Sequence, residues 1–177
     1  FTVDTENGCE DIIIINSTFG LGEYIVGGKI NPDEFYIFKP TLKEGFNSII
    51  KKELGSKNKK LVYSDKKRAK NVKTTKKERE SFSLNNEEVI TLANHAIKIE
   101  EHYKKHMDIE WAKDSISNDI YIVQARPETV HSQIKDVPFI ENYTFDKEPL
   151  KKDILLKGNA IGEKIGLGKV KIISKLS

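Results

Sequence analysis

Apolar positions change their spacing several times along the chain. Asp11-Ile12-Ile13-Ile14-Ile15-Asn16 is a continuous β-branched run, the pattern of a strand buried on both faces. It leads into the small-residue loop Ser17 to Glu23, a position that active-site loops often occupy. Tyr24 to Val26 and Phe35 to Phe38 read as short strands, separated by Gly27-Gly28 and the turn-forming Asn31-Pro32-Asp33, and Pro40 closes the second. Ile49 to Leu54, Lys60 to Tyr63 and Asn71 to Thr74 read as further strands, with a turn at Gly55-Ser56. Between 86 and 104 the spacing becomes helical: Val89, Leu92, Ala93, Ala96, Ile99 and Tyr103 recur behind Asn85, a cap with Glu88 three residues on. Met107 to Ala112 and Ile120 to Ala125 form two more strands around the polar loop Lys113 to Asp119, and Pro127 ends the second. One main helix among short strands predicts an α+β fold.

Residues 132 to 153, with Pro138 and Pro149 and no sustained period, read as a linker. From Ile154 the texture changes, with Gly158, Gly162, Gly166 and Gly168 ahead of an alternating strand at Lys169 to Ile173. The domain reading is therefore 1–131, a linker at 132–153, and the opening of a second domain at 154–177.

Composition narrows the function classes. No apolar run approaches the roughly 20 residues of a membrane span, and Phe1-Thr2-Val3-Asp4 has neither the basic start nor the apolar stretch of a secretory signal. The single cysteine, Cys9, forms no internal disulfide or Cys-rich zinc site, so the expected compartment is reducing and cytoplasmic. The net charge of +3 conceals a segment, 51–79, with 13 Lys or Arg against Glu53, Asp65 and Glu78. Such a stretch could attract nucleic acid. Its only aromatic is Tyr63 and its only arginines are Arg68 and Arg79, which favours a solvated hairpin over a nucleic-acid surface. His102 and His106 stand four apart, as metal ligands can, but no third ligand has matching spacing.

The candidate chemistry lies in Asp108-Ile109-Glu110 and Gln124-Ala125-Arg126. On strands, residues two apart share a face. A hairpin with a five-residue tip at Ser115 to Asp119 sets Glu110 opposite Gln124 and Asp108 opposite Arg126. Ile109, Trp111, Tyr121, Val123 and Ala125 would then pack behind. One carboxylate beside one amide oxygen suits Mg²⁺, a hard cation that takes few protein ligands and completes its shell with phosphate and water. Arg126 can grip a phosphate bidentately. The same spacing also fits an ordinary Asp108–Arg126 salt bridge with Gln124 on the surface.

The wider string resolves the choice. Ile122-Val123-Gln124-Ala125-Arg126-Pro127-Glu128-Thr129-Val130, preceded by Met107-Asp108-Ile109-Glu110-Trp111-Ala112, resembles the amino-terminal ATP-grasp domain of the phosphoenolpyruvate synthase family, which is shared with pyruvate phosphate dikinases. The likeness extends to Gly20-Leu21-Gly22-Glu23, Asn31-Pro32-Asp33-Glu34-Phe35, Lys39-Pro40-Thr41-Leu42, Phe82-Ser83-Leu84 and Asn86-Glu87-Glu88-Val89. It implies the carboxyl-terminal lobe of an ATP-grasp domain, mostly antiparallel sheet, followed by the start of a swivelling phosphohistidine domain. Glu110 and Gln124 would be Mg²⁺ ligands bridging the ATP phosphates, Arg126 would contact the phosphates, and Asp108 would hold Arg126 or the metal shell. Glu23 would sit beside the nucleoside, on the ribose. The family makes phosphoenolpyruvate from pyruvate, ATP and water through a phosphohistidine. The resemblance therefore places a first ATP-grasp lobe before Phe1 and leaves the carrier histidine and the pyruvate site in domains absent from these 177 residues. A dikinase or an antibiotic phosphotransferase with the same ATP domain is the nearest alternative, and a basic nucleic-acid-binding module is another.

Overall fold

The isoleucine run forms β1 (Ile12–Ser17), which pairs antiparallel with β2 (Asp33–Phe38) so that Ile13 faces Ile37 and Ile15 faces Phe35. The structure, a computed structural model, describes residues 1–6, 8–64, 68–129, 150–156, 166–169 and 171. The chain divides into two units, Phe1–Pro138 and Phe139–Ser177. In the second, the described residues include one 3₁₀ turn, Lys151–Asp153. The expected linker at 132–153 and strand at 169–173 lie largely outside the described residues.

In the first unit β3 (Ile49–Glu53) flanks β2, giving the order β1-β2-β3. Two antiparallel hairpins follow, β4 (Lys59–Tyr63) with β5 (Ala69–Lys73), and β6 (Met107–Lys113) with β7 (Ile120–Pro127). Helices and antiparallel strands together make the expected α+β content. Residues 1 and 2 tie β1 to β6: Ile14 N donates to Phe1 O at 3.0 Å, and Thr2 N donates to Met107 O at 2.9 Å.

The long helix α4 (Asn86–Tyr103) begins where the sequence places it. Asn85 Oδ1 accepts from Glu88 N at 2.9 Å, and Asn85 N donates to Glu88 Oε2 at 2.8 Å. Its Val89, Leu92, Ala93, Ala96 and Ile97 bury against Ile13, Ile15, Phe35 and Ile37. Val89, Leu92 and Ile97 each contribute about 1.5–3 kcal/mol by this burial, and the two alanines less. The expected stripe ended on Ile99 and Tyr103, but Ile97 takes the inner position and Tyr103 is exposed. The inner position one turn after Ala96 belongs to Glu100, whose carboxylate takes two 2.8 Å hydrogen bonds from the buried Lys39.

Three short helices replace expected strand or loop. Glu23–Val26 is helical (α1), because Val26 N and Gly27 N close onto Gly22 O and Glu23 O. Lys39–Lys43 is α2, so Pro40 opens a helix instead of merely ending β2. Proline fits the first turn, where its missing N–H costs nothing. Lys76–Glu80 is α3, started by the Thr75/Glu78 capping box.

A polar knot ties the loops together. Asp33 and Lys57 have fully buried side chains and form an ion pair. Asp33 also accepts from Gly55 N (2.9 Å), Ser83 N (2.7 Å) and Ser83 Oγ (2.7 Å). Lys57 Nζ donates to Gly55 O at 3.0 Å, and Ser83 Oγ lies 2.6 Å from Ser17 Oγ. Gly55 has no room for a side chain, since a Cβ there would lie 2.1 Å from Pro32 O.

Candidate functional site

The β6–β7 hairpin carries four of the five candidate residues, and its root is tied to the body of the unit at two points. Met107 is fully buried and donates its N–H to Thr2 Oγ1 at 2.8 Å, while Glu128 N donates to His106 O at 2.8 Å. Ile109, Trp111 and Ile120 pack on the core, which turns the alternate positions of β6 away from it.

Those alternate positions meet as the sequence predicts. Asp108 pairs with Arg126 and Glu110 with Gln124. Directly opposed residues share one face with Cβ atoms about 4.5–5.5 Å apart. Arg126 Nε and Nη2 donate to Asp108 Oδ2 at 2.9 and 2.7 Å. Hydrogen bonding and charge from Asp108, with Glu110 adding to them, raise the guanidinium's already high pKa. Glu110 and Gln124 are exposed, and among the described residues neither side chain makes a hydrogen bond or ion pair.

The hairpin departs from the predicted register beyond Glu110. A bulge follows, so that Trp111 pairs with Ile122, Ala112 with Tyr121 and Lys113 with Ile120, leaving Val123 unpaired. Tyr121 and Val123, expected behind the site, are instead 55% and 65% exposed, and Ile120 takes the inward place. The tip is correspondingly longer than five residues, Asp114 to Asp119 between the paired Lys113 and Ile120. Asp114 Oδ1 accepts from Ile116 N (2.7 Å) and Ser117 N (2.8 Å), and these bonds hold its carboxyl below the usual aspartate value.

Glu23 stands apart from the other four. It opens α1, is exposed, and no hydrogen bond or ion pair joins it to the hairpin among the described residues. Its loop rests on β4: Leu21 N donates to Leu61 O at 2.8 Å, and Gly20, at φ +84°, lies so close that a Cβ would sit 2.3 Å from Leu61 O. Of the candidate metal-ligating histidines, His106 places Nδ1 2.9 Å from Glu100 Oε1 and Nε2 3.3 Å from Glu10. His102 stacks edge-on against Tyr103. Sequence reasoning missed the Asp33–Lys57 pair entirely, although Asn31-Pro32-Asp33 and Gly55-Ser56-Lys57 each carry the turn residues that bring them together.

Sequence comparison relates the chain to known proteins along its whole length. The chain is 52% identical over 99% of its length to a phosphoenolpyruvate synthase of Helicobacter pylori. It is 45% identical over 99% to one of Aquifex aeolicus, and 44% identical over its full length to one of Escherichia coli. It spans only 22–23% of the length of these relatives. The family described as the pyruvate phosphate dikinase AMP/ATP-binding domain matches residues 1–147, across the whole β6–β7 hairpin, and the chain belongs to that family.

Proposed function

We propose that the face formed by Asp108, Glu110, Gln124 and Arg126 binds the polyphosphate of ATP with Mg²⁺, within the second lobe of an ATP-grasp domain. The observation that carries this is the cross-strand pairing of Glu110 with Gln124, both exposed and without side-chain hydrogen bonds or ion pairs among the described residues, beside an Arg126 held by Asp108 in an AMP/ATP-binding family. The donor set fits the metal. One carboxylate and one neutral amide oxygen are hard ligands that leave most of an octahedron to phosphate and water. Glu110 and Gln124 would hold Mg²⁺, which when bound would supply charge neutralisation to the polyphosphate.

The protein's own groups divide the remaining work. Arg126 reaches the phosphates with Nη1, the guanidinium nitrogen that Asp108 leaves free, and its charge offsets that of the transferring phosphoryl group. Asp108 keeps the guanidinium aimed from the root of the hairpin. Glu23 hydrogen-bonds the ribose from the loop on β4.

The longer relatives support a role in a phosphoenolpyruvate synthase-like enzyme, in which ATP, pyruvate and water give AMP, phosphoenolpyruvate and phosphate through a phosphohistidine. Pyruvate binding and the carrier histidine belong to parts beyond this chain, as does a first ATP-grasp lobe. Their shared name favours pyruvate over the acceptors of dikinases or antibiotic phosphotransferases.

Titrating the chain with Mg²⁺-ATP by calorimetry tests the site. Glu110→Ala and Gln124→Ala should each weaken binding about tenfold or more, about 1.4 kcal/mol. Affinities equal to that of the unsubstituted chain would remove the hairpin face from the ATP site.

A further inference from the structure

The loop that carries Glu23 is held at two points, and both lead back to the buried ion pair. Where the loop leaves β1, Ser17 Oγ lies 2.6 Å from Ser83 Oγ, and Ser83 donates from both N and Oγ to Asp33 Oδ2. At its middle, Leu21 N donates to the carbonyl of Leu61 in β4, with Gly20 pressed against the same carbonyl. The entry to β4 is set by Lys57. Its ammonium binds Asp33 and Gly55 O, its N–H donates to Asn31 O at 3.2 Å, and its carbonyl accepts from Thr74 Oγ1.

The backbone of Lys57 is left-handed, at φ +38°. A non-glycine residue is strained there, and burying its ammonium is costly unless a carboxylate meets it. Asp33 is that carboxylate, and both side chains are closed to solvent. Neither can touch a ligand, so any effect on the site must pass through Ser83 and Ser17 or through β4.

We infer that Asp33 and Lys57 are positioning residues for the Gly20–Glu23 loop and fix the nucleoside end of the ATP site. This rests on the reading of Glu23 as the ribose contact. Without the pair, Ser83 loses the acceptor that orients it toward Ser17, and β4 loses the anchor at its start. Both supports of the loop then slacken together, while α4 and its core remain as they are.

The test uses the full chain with Lys57→Met, Ser17→Ala, Ser17→Thr and Glu23→Gln. Amide hydrogen exchange is followed at Leu21 to Glu23 and in α4, and Mg²⁺-ATP is compared with Mg²⁺-2′-deoxy-ATP by calorimetry. Lys57→Met and Ser17→Ala should each speed exchange at Leu21 by about tenfold or more with α4 unchanged, and should reduce the preference for the ribose 2′-hydroxyl. Ser17→Thr, which keeps the hydroxyl, should restore both. Because Lys57→Met strands a buried carboxylate and can cost the fold, Ser17→Ala decides if it does. Unchanged exchange at Leu21, or loss of protection shared equally with α4, overturns the inference. Should Glu23→Gln keep the full 2′-hydroxyl preference, the ribose reading of Glu23 fails whatever happens at Leu21.

Discussion

Lys39 reaches inward from the start of α2 to Glu100 on the inner face of α4, and His106 closes on the same carboxylate from the entrance to β6. Burial pushes the Glu100 carboxyl up, but hydrogen bonds from Lys39, His106 and Thr2 outweigh it and hold the group below its ordinary value of 4.5. A carboxyl whose pKa falls on folding adds stability above its unfolded pKa and gives it up as pH drops through the folded one. Urea unfolding between pH 7 and pH 3 should therefore show a loss of stability setting in below about 4.5. Glu100→Gln should be less stable at pH 7 by about 3–5 kcal/mol, because Lys39 is left buried without its partner. It should also lose less on acidification. Parallel acid limbs in the two proteins would place the acid sensitivity on other carboxylates. This contact explains a residue the sequence misplaced. Helical spacing alone points Ile99 and Tyr103 inward, and no pattern within α4 announces a lysine 61 positions earlier that needs a carboxylate there.

Legibility of the elements follows the range of the interactions that make them. The start of α4 was readable because both arms of its cap lie within four residues, and strand alternation put Asp108, Glu110, Gln124 and Arg126 on one face correctly. Asn85→Ala should cost about 1 kcal/mol by removing the acceptor for Glu88 N, measured as a shift in the urea midpoint with the slope unchanged. A loss below a few tenths would mean that packing, not the cap, starts the helix. The Thr75/Glu78 cap of α3 has the same form, yet Lys76-Lys77-Glu78-Arg79-Glu80 has no apolar stripe, so periodicity is silent there. In α1 the β-branched Ile25 and Val26 spoke for a strand, and the turn's own backbone bonds to Gly22 and Glu23 prevailed. The bulge after Glu110 left no trace in composition, because any strand residue can occupy it.

At the scale of the whole molecule, the apolar cluster packed on α4 lies, among the described residues, between Ile13 and Ile120, inside the first unit. A chain ending at Pro138 should unfold in one cooperative transition, with the same urea midpoint by circular dichroism and by Trp111 fluorescence. Separate midpoints would show that the first unit is not one cooperative body. The basic segment 51–79 is a hairpin only over β4 and β5, between the end of β3 and the start of α3, and part of its charge is met locally, Lys51 by Glu53 and Lys60 by Glu78. What the sequence could not convey at this scale is how separate loops share one anchor. Asp33 gathers Gly55, Lys57 and Ser83 from as far as 50 residues away, and such convergence is a property of the folded chain alone.

The bulge at Val123 splits β7 into two stretches whose alternation is out of step, while β6 alternates without interruption, Ile109 and Trp111 both facing the core. Toward the root, alternation is fixed by Met107 and sets the outward row Asp108, Glu110, Gln124, Arg126. Toward the tip, alternation is fixed by Ile120 and Trp111 against the core. The unpaired residue works like a slip joint between them. Changes confined to the turn at Asp114 to Asp119 can therefore be absorbed at the bulge without rotating the polar side chains of the outward row.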